Sequence, residues 1–200
     1  MCEIILGSGS PRRDEIMTLA GIKHTVIVPS ADESSVQYKG DCVRYVKELA
    51  KLKSDALLKL HDVRDIAKLH DTVTVCADTV VFSPKYPQPL GKPKSFDEAC
   101  SMLKLLSGTF HYVLTGVCLR YGESLVEEHI FCEQTKVHFR ELSDGEIESY
   151  IGETNPYDKA GAYGIQDRAC AFVSGIEGDY YNVVGLPICS IVKFLKYALN

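Results

Sequence analysis

Hydrophobic positions fall along this 200-residue chain in runs whose period changes from element to element. Glu3 to Leu6 is an apolar strand that enters a turn of two glycines and two serines, and a helix starts at Pro11. Ser10 suits the N-cap of that helix, Pro11 its first position, where a missing N–H costs nothing, and Gly21 its C-terminal stop. Ile16, Leu19 and Ala20 recur at helical spacing and predict its inward face. Lys23 to Val28 reads as a short strand ended by Pro29, and Ser30 to Ser35 as a polar loop carrying Asp32 and Glu33. From about Cys42 to Leu60 the pattern predicts one long helix. Cys42, Val46, Leu49, Ala50, Ala56, Leu57 and Leu60 share a wide apolar face at about 100° per residue. Asp71 to Phe82 is the strongest strand, a near-continuous β-branched run of the kind that is covered on both faces.

The second half continues the alternation. Ser83 to Pro93 is a proline-rich loop. Ser95-x-x-Glu98 reads as a capping box opening a helix whose inward side is Ala99, Met102, Leu103 and Leu106, closed by Gly108. His111 to Tyr121 and Glu128 to Phe139 predict two long strands joined by a turn at Tyr121–Ser124, hence a hairpin. Ser143-x-x-Glu146 is a second capping box, opening a short helix to Ile151 that Gly152 stops. Gly152 to Gln166 is an irregular, glycine-rich and charged loop of the sort that commonly forms a binding wall. Ala169 to Ile176 reads as a strand, and Leu186 to Leu199 as a final helix with Pro187 near its first position. The chain shows no internal repeat and no linker, and its length suits one domain or a domain with a lobe.

Composition narrows the partners. A hydrophobic content of 46% with 24% charged residues is that of a soluble globular chain. The net charge of −5 argues against a nucleic-acid partner, and no apolar run approaches membrane-spanning length. The N-terminus begins as a strand and carries no leader pattern. Eight cysteines are scattered without a C-x-x-C pair, which argues against a zinc site or disulfide framework. A reducing, cytoplasmic location is the expectation.

The chemistry-bearing residues interrupt the hydrophobic pattern. A glycine turn feeding a helix N-terminus offers amide N–H groups and a positive dipole end to an anion, and Arg12 and Arg13 add two cations in that first turn. Cations there repel the dipole, so their presence points to a strongly negative ligand, phosphate above all. The turn is neither a Walker loop nor a dinucleotide fingerprint. Lys53 falls in the middle of the long helix's apolar face, where it must find an anion, snorkel out or lose its proton, and it is read as reaching into a site. Lys47, Lys51 and Lys59 fall on the polar side and are read as solvated. Asp78 interrupts the buried strand with Thr79 beside it, and is read as a metal ligand or general base ahead of a structural ion pair. Two carboxylates, Glu33 and Asp78, with cations Arg12, Arg13, Lys53, Lys92 and Lys159, make the arithmetic of metal-assisted phosphate chemistry.

Seven collinear stretches carry a family resemblance: Leu6-Gly-Ser-Gly-Ser-Pro-Arg-Arg13, Leu49-Ala-Lys-Leu-Lys53, Ala77-Asp-Thr-Val-Val81, Gly91-Lys-Pro93, Leu106-Ser-Gly108 with Thr115-Gly-Val117, Asp158-Lys-Ala-Gly-Ala-Tyr-Gly-Ile-Gln166, and Tyr181-Asn-Val-Val-Gly-Leu-Pro187. By these the chain resembles the Maf (septum-formation) family of nucleoside triphosphate pyrophosphatases. The resemblance implies an α/β fold with an elongated, bent mixed sheet flanked by helices, two lobes and a central cleft, and often a homodimer. It implies hydrolysis of a nucleoside triphosphate between the α and β phosphates with a divalent cation, Mg2+ or Mn2+. It makes Asp78 the proton acceptor and links Glu33 and Lys53 to binding or catalysis; taken with the residue reading, the expected catalytic set is Asp78, Glu33 and Lys53, with the metal between Glu33 and Asp78. Ser8, Arg12, Arg13, Thr79, Lys92, Lys159 and Gln166 become the substrate-binding set, with Arg12, Thr79 and Gln166 tied to substrate choice. The Lys-Ala-Gly-Ala-Tyr-Gly-Ile-Gln form of the loop is similar to the branch acting on dTTP and UTP, a house-cleaning role. The rival expectations are a nucleotide-binding regulator of cell division without turnover, and a general phosphatase or inosine triphosphate pyrophosphatase. Two positions depart from the family pattern. Gly7 stands where alanine is usual, expected to be harmless. Asp167 stands where glycine is common, expected to alter the loop near the base pocket.

Overall fold

A computed structural model describes residues 2–198. Six strands form one mixed sheet in the order β2-β1-β3-β4-β5-β6: β1 (Glu3–Gly7), β2 (Thr25–Val26), β3 (Thr72–Phe82), β4 (Phe110–Tyr121), β5 (Glu127–Phe139) and β6 (Val173–Glu177). β1 runs parallel to both β2 and β3, placing Ile5 opposite Thr25 on one side and Thr74 on the other. β5 and β6 are antiparallel, with a register shift at His138/Phe139. The helices are α1 (Pro11–Leu19), α2 (Cys42–Leu57), α3 (His61–Leu69), α4 (Phe96–Leu106), α5 (Asp144–Thr154), α6 (Tyr180–Val184) and α7 (Ile188–Ala198). The α/β class is the one the family resemblance implies.

The chain divides into two compact units, neither continuous in sequence. The first comprises Met1–Asp78, Thr115–Glu133 and Gly185–Asn200. Its core includes Ile5, Leu57, Val63, Cys76 and Leu125, with Ile27, Leu60 and Ile66 packed against them. β3 is buried at every position from Thr72 to Asp78, as its uninterrupted apolar run requires. Helix α2 lies directly on β4: a Cβ at Gly116 would stand 2.2 Å from the carbonyl oxygen of Val46, so only glycine admits this approach. The second unit comprises Thr79–Leu114 and Gln134–Val184. There α4 buries Ala99, Met102, Leu103 and Leu106, the predicted face, and α5 buries Ile147, Tyr150 and Ile151. An aromatic cluster joins them: His111 meets Phe139 and Tyr163 edge-on, and Phe139 meets Tyr163 and Phe172.

Several elements differ from the sequence expectation for identifiable reasons. α1 buries Arg13, Ile16 and Met17, whereas Leu19 is 71% exposed. A charged residue belongs to its buried face, which no apolar period can signal. Ser10 holds the N-cap position, but its side chain makes no capping bond. The helix expected to reach Leu60 ends at Leu57 and α3 follows, because the chain breaks at Leu58–Leu60 without glycine or proline while Val63 and Ile66 continue the apolar rhythm. β2 keeps only Thr25 and Val26. At Ser95 only half of the capping box forms: Glu98 N donates to Ser95 Oγ, but the Glu98 carboxylate accepts from Lys94 N instead. At Ser143 both halves form. α5 runs through Gly152 to Thr154 and is closed by Asn155 in the left-handed region. Residues 168–171 coil into a 3-10 turn, so β6 starts only at Val173. The last helix begins at Ile188 after the separate α6; its expected end at Leu199 lies outside the described residues. Lys51 is an ion-paired residue, in contact with Glu128 and 4.0 Å from Asp55, which also takes a 2.6 Å bond from Arg120. Gly7 is not a neutral replacement for alanine. A Cβ there would stand 2.4 Å from Cys76 Sγ and 2.8 Å from Leu57, so glycine at 7 accommodates cysteine at 76, its register partner on β3.

Candidate active site

In the first unit, three residues far apart in sequence meet at one point. Asp78 is the last residue of β3 in that unit and is 8% exposed, two residues beyond Cys76, the last β3 residue in register with β1. Lys53 rises from α2, whose seat on Gly116 sets its height. Lys53 Nζ contacts Asp78 Oδ1 and lies 3.0 Å from Glu33 Oε1. Glu33 opens a 3-10 turn, Glu33–Ser35, that Asp32 caps by accepting from Ser34 N at 3.1 Å. The Glu33 side chain is 55% exposed, against 16% for Lys53 and 11% for Asp78. The lysine centred on an apolar face has found its anions, as its position demands.

The glycine turn stands in the same unit and is held from behind. Arg13 is buried, its Nε donating to Gly185 O and its Nη1 to Ala77 O, both at 2.8 Å, and to Ser8 Oγ at 3.3 Å. One guanidinium therefore ties α1 to the end of β3, immediately before Asp78, and to the segment leading into α7. Gly185 holds a φ of 129° to present its carbonyl. Burial pushes the Arg13 pKa down, and the charge of Asp78 opposes that shift. Ser8 Oγ also accepts from Ser10 N at 3.1 Å. With both acceptances made, the hydroxyl proton is what Ser8 has left to offer a ligand. Arg12, beside Arg13 in the first turn, is half-buried. Sequence reasoning missed the two carbonyls that Arg13 binds. It also missed Tyr45, on α2 eight residues before Lys53, whose phenol pKa is raised by burial and by the charges of Asp78 and Glu33. The signal for Tyr45 was its place on the helix that carries Lys53.

The remaining candidates lie in the second unit. Lys159 is 15% exposed; its Nζ donates to Asp158 Oδ1 at 2.7 Å and lies 3.8 Å from Asp167 Oδ2. Asp167 fixes its loop, accepting from Tyr150 Oη at 3.1 Å and Ala169 N at 2.9 Å. Tyr150 Oη in turn accepts from Gly164 N at 3.3 Å. From the other side, His111 Nε2 and Tyr163 Oη are 2.8 Å apart. Gln166 projects from this clamped segment and is exposed; Lys92 is exposed and Thr79 half-buried. Gly91 O accepts from Gly161 N at 3.0 Å, and Leu90 N donates to Val81 O at 2.7 Å, so the Ser83–Pro93 loop is anchored at its C-terminal end. The structure thus gathers Ser8, Arg13, Glu33, Lys53 and Asp78 in one unit and Lys159 and Gln166 on one loop of the other.

Among the described residues no group of three or more His, Cys, Asp or Glu could hold a metal. Two carboxylates whose oxygens converge on one cationic nitrogen still suit a hard divalent ion. Mg2+ in particular is bound through one or two carboxylates together with substrate phosphates.

A family model described as Maf-like protein matches residues 3–198. A dTTP/UTP pyrophosphatase of Clostridium perfringens is 41% identical over 197 residues, covering 97% of this chain and 96% of the relative. A dTTP/UTP pyrophosphatase of Bacillus cytotoxicus is 42% identical over 196 residues, covering 98% and 95%. One of Lachnoclostridium phytofermentans is 42% identical over 200 residues, with the same coverage. A solved structure of a HAM1 protein from Coxiella burnetii is 13% identical, covers 99% of this chain and 100% of that one, and reaches a TM-score of 0.48, too low to add to the argument.

Proposed function

Because the chain belongs to the family of Maf-like proteins, we propose that it is a nucleoside triphosphate pyrophosphatase acting on dTTP- and UTP-type nucleotides, giving the monophosphate and pyrophosphate. The observation that carries this reading is the meeting of Lys53, Glu33 and Asp78 beside a glycine turn that Arg13 pins from behind. Ser8 and Arg12 bind phosphate at the N-terminus of α1, with Arg13 supplying a fixed positive charge behind them. Asp78 takes the proton of the attacking water, and its rigid place on β3 keeps its oxygens oriented. Glu33 and Asp78 would hold Mg2+ or Mn2+, which would supply charge neutralisation and Lewis acidity to the phosphate. Lys53 carries charge to the phosphates as the leaving pyrophosphate departs. Lys92, Lys159, Thr79 and Gln166 complete the substrate-binding set by the family resemblance, with Thr79 and Gln166 supplying hydrogen bonds to the base.

No helix among the described residues is long and apolar enough to cross a membrane. Eight free thiols support a reducing, cytoplasmic setting, where the nucleotide pool lies. Residues 1–200 are treated as one Maf-like domain with two lobes, and the family resemblance extends to a homodimer.

Hydrolysis in 18O-labelled water tests the reaction. Attack at the α-phosphorus puts the label in the nucleoside monophosphate and leaves pyrophosphate unlabelled. Chelation of divalent cations stops the reaction, and added Mg2+ or Mn2+ restores it. Release of orthophosphate instead of pyrophosphate would contradict the assignment.

A further inference from the structure

We propose that Lys53 and a divalent cation compete for the same two carboxylate oxygens, and that nucleotide phosphate decides the competition by drawing the ammonium away. The inference rests on the reading above that Glu33 and Asp78 hold the metal.

Lys53 Nζ stands 3.0 Å from Glu33 Oε1 and in contact with Asp78 Oδ1. A magnesium ion bound to both oxygens would sit about 2.1 Å from each. The space between the carboxylates cannot hold an ion at that distance and an ammonium in hydrogen-bond contact with the same two oxygens. One cation must leave for the other to enter. Mobility decides which one moves. Asp78 is buried within the eleven-residue strand β3, between β1 and β4 in the sheet, so it stays. Lys53 is a charge on a stem of four methylenes, and Glu33 is an exposed residue on a short 3-10 turn. The ammonium swings, and Glu33 adjusts.

The destination makes the exchange useful. An ammonium released from two carboxylates seeks another anion, and a polyphosphate is the strongest one the reaction supplies. Lys53 then serves two partners in succession: the carboxylates before loading, the phosphates after it. Metal binding to the protein alone is held weak, because each ion must break two charge-assisted contacts. Nucleotide removes that competitor, so nucleotide and metal strengthen each other's binding, and linkage makes the strengthening reciprocal.

The test is a titration of Mn2+, followed by electron paramagnetic resonance, against wild type, Lys53→Met and Lys53→Gln, with and without the α,β-methylene analogue of dTTP. Without nucleotide, both variants bind Mn2+ about tenfold tighter or more than wild type, since one positive charge touching both ligands is gone. The analogue tightens Mn2+ binding in wild type, and by clearly less in the variants. In parallel, amine acylation of the wild-type protein read by mass spectrometry labels Lys53 faster at saturating Mn2+ without nucleotide, where the ion has displaced the ammonium and no phosphate receives it. Equal or weaker Mn2+ affinity in folded Lys53 variants overturns the proposal, as does Lys53 labelling that saturating Mn2+ leaves unchanged. Glu33→Gln and Asp78→Asn keep the two readings apart. If these lose Mn2+ while the Lys53 variants gain nothing, the metal assignment stands and the competition falls. If they bind Mn2+ as wild type does, the metal assignment falls and takes the competition with it.

Discussion

Arg13 is best understood by what its removal would leave behind. Its guanidinium satisfies the carbonyls of Gly185 and Ala77 and touches Ser8 Oγ, all in buried surroundings. Arg13→Ala would strand those acceptors, and a loss of about 3 kcal/mol in urea unfolding is the expected result. Arg13→Lys would keep the charge but not the fork, and should recover only part of that loss. Wild-type stability in Arg13→Ala would mean that the turn holds itself. The same residue marks how far a sequence can be read. Two arginines after a glycine turn announce an anion site, and both look alike on paper. Only the fold shows that Arg13 binds protein carbonyls, because the carbonyl of Gly185 is 172 residues away. Lys53 and Asp78 were legible for the opposite reason. Each is a charge placed where an apolar pattern forbids one, so each demanded a partner, and the partner turned out to be the other.

At the scale of elements, strands and helices with strong periodicity stood out, and boundaries without glycine or proline did not. The break between α2 and α3 had no such residue to mark it. The loop of residues 158–167 looked irregular in sequence, yet it is clamped: Tyr163 by His111, and Asp167 by Tyr150. A buried histidine has a consequence for pH. Burial pushes His111 down to about 3 from its usual value, so the folded protein keeps it neutral. Between about pH 6.5 and 3 the unfolded chain takes up a proton that the folded chain refuses. Stability is therefore full above pH 6.5 and falls as pH is lowered through that window, by up to about 1.4 kcal/mol per unit. Urea unfolding from pH 7 to 4.5 should show this slope in wild type and a shallower one in His111→Gln. An identical slope in the two proteins would mean that His111 is not the source.

For the whole molecule, a net charge of −5 coexists with a local concentration of cations around one turn and one lysine. That arrangement suits a small, highly charged anion better than a long one, and a metal ion carried with it lessens the repulsion. The stretches that carry the resemblance serve two purposes that a sequence alone does not separate. Gly116 admits the backbone of α2 and Asn182 donates to Val113 O at 3.0 Å, both structural, while Asp78 and Lys53 form the ion pair on which the proposed chemistry rests. The central claim is that Asp78 is the base of a pyrimidine-nucleotide pyrophosphatase. Its most direct test is pyrophosphate release from dTTP, UTP, CTP, ITP, GTP and 7-methyl-GTP with Mg2+ or Mn2+, by wild type and Asp78→Asn side by side. Release led by dTTP or UTP is expected, with a fall of about a thousandfold in an Asp78→Asn protein that unfolds in urea as a folded domain does. Undiminished turnover in a folded Asp78→Asn protein, or a purine optimum, would contradict it.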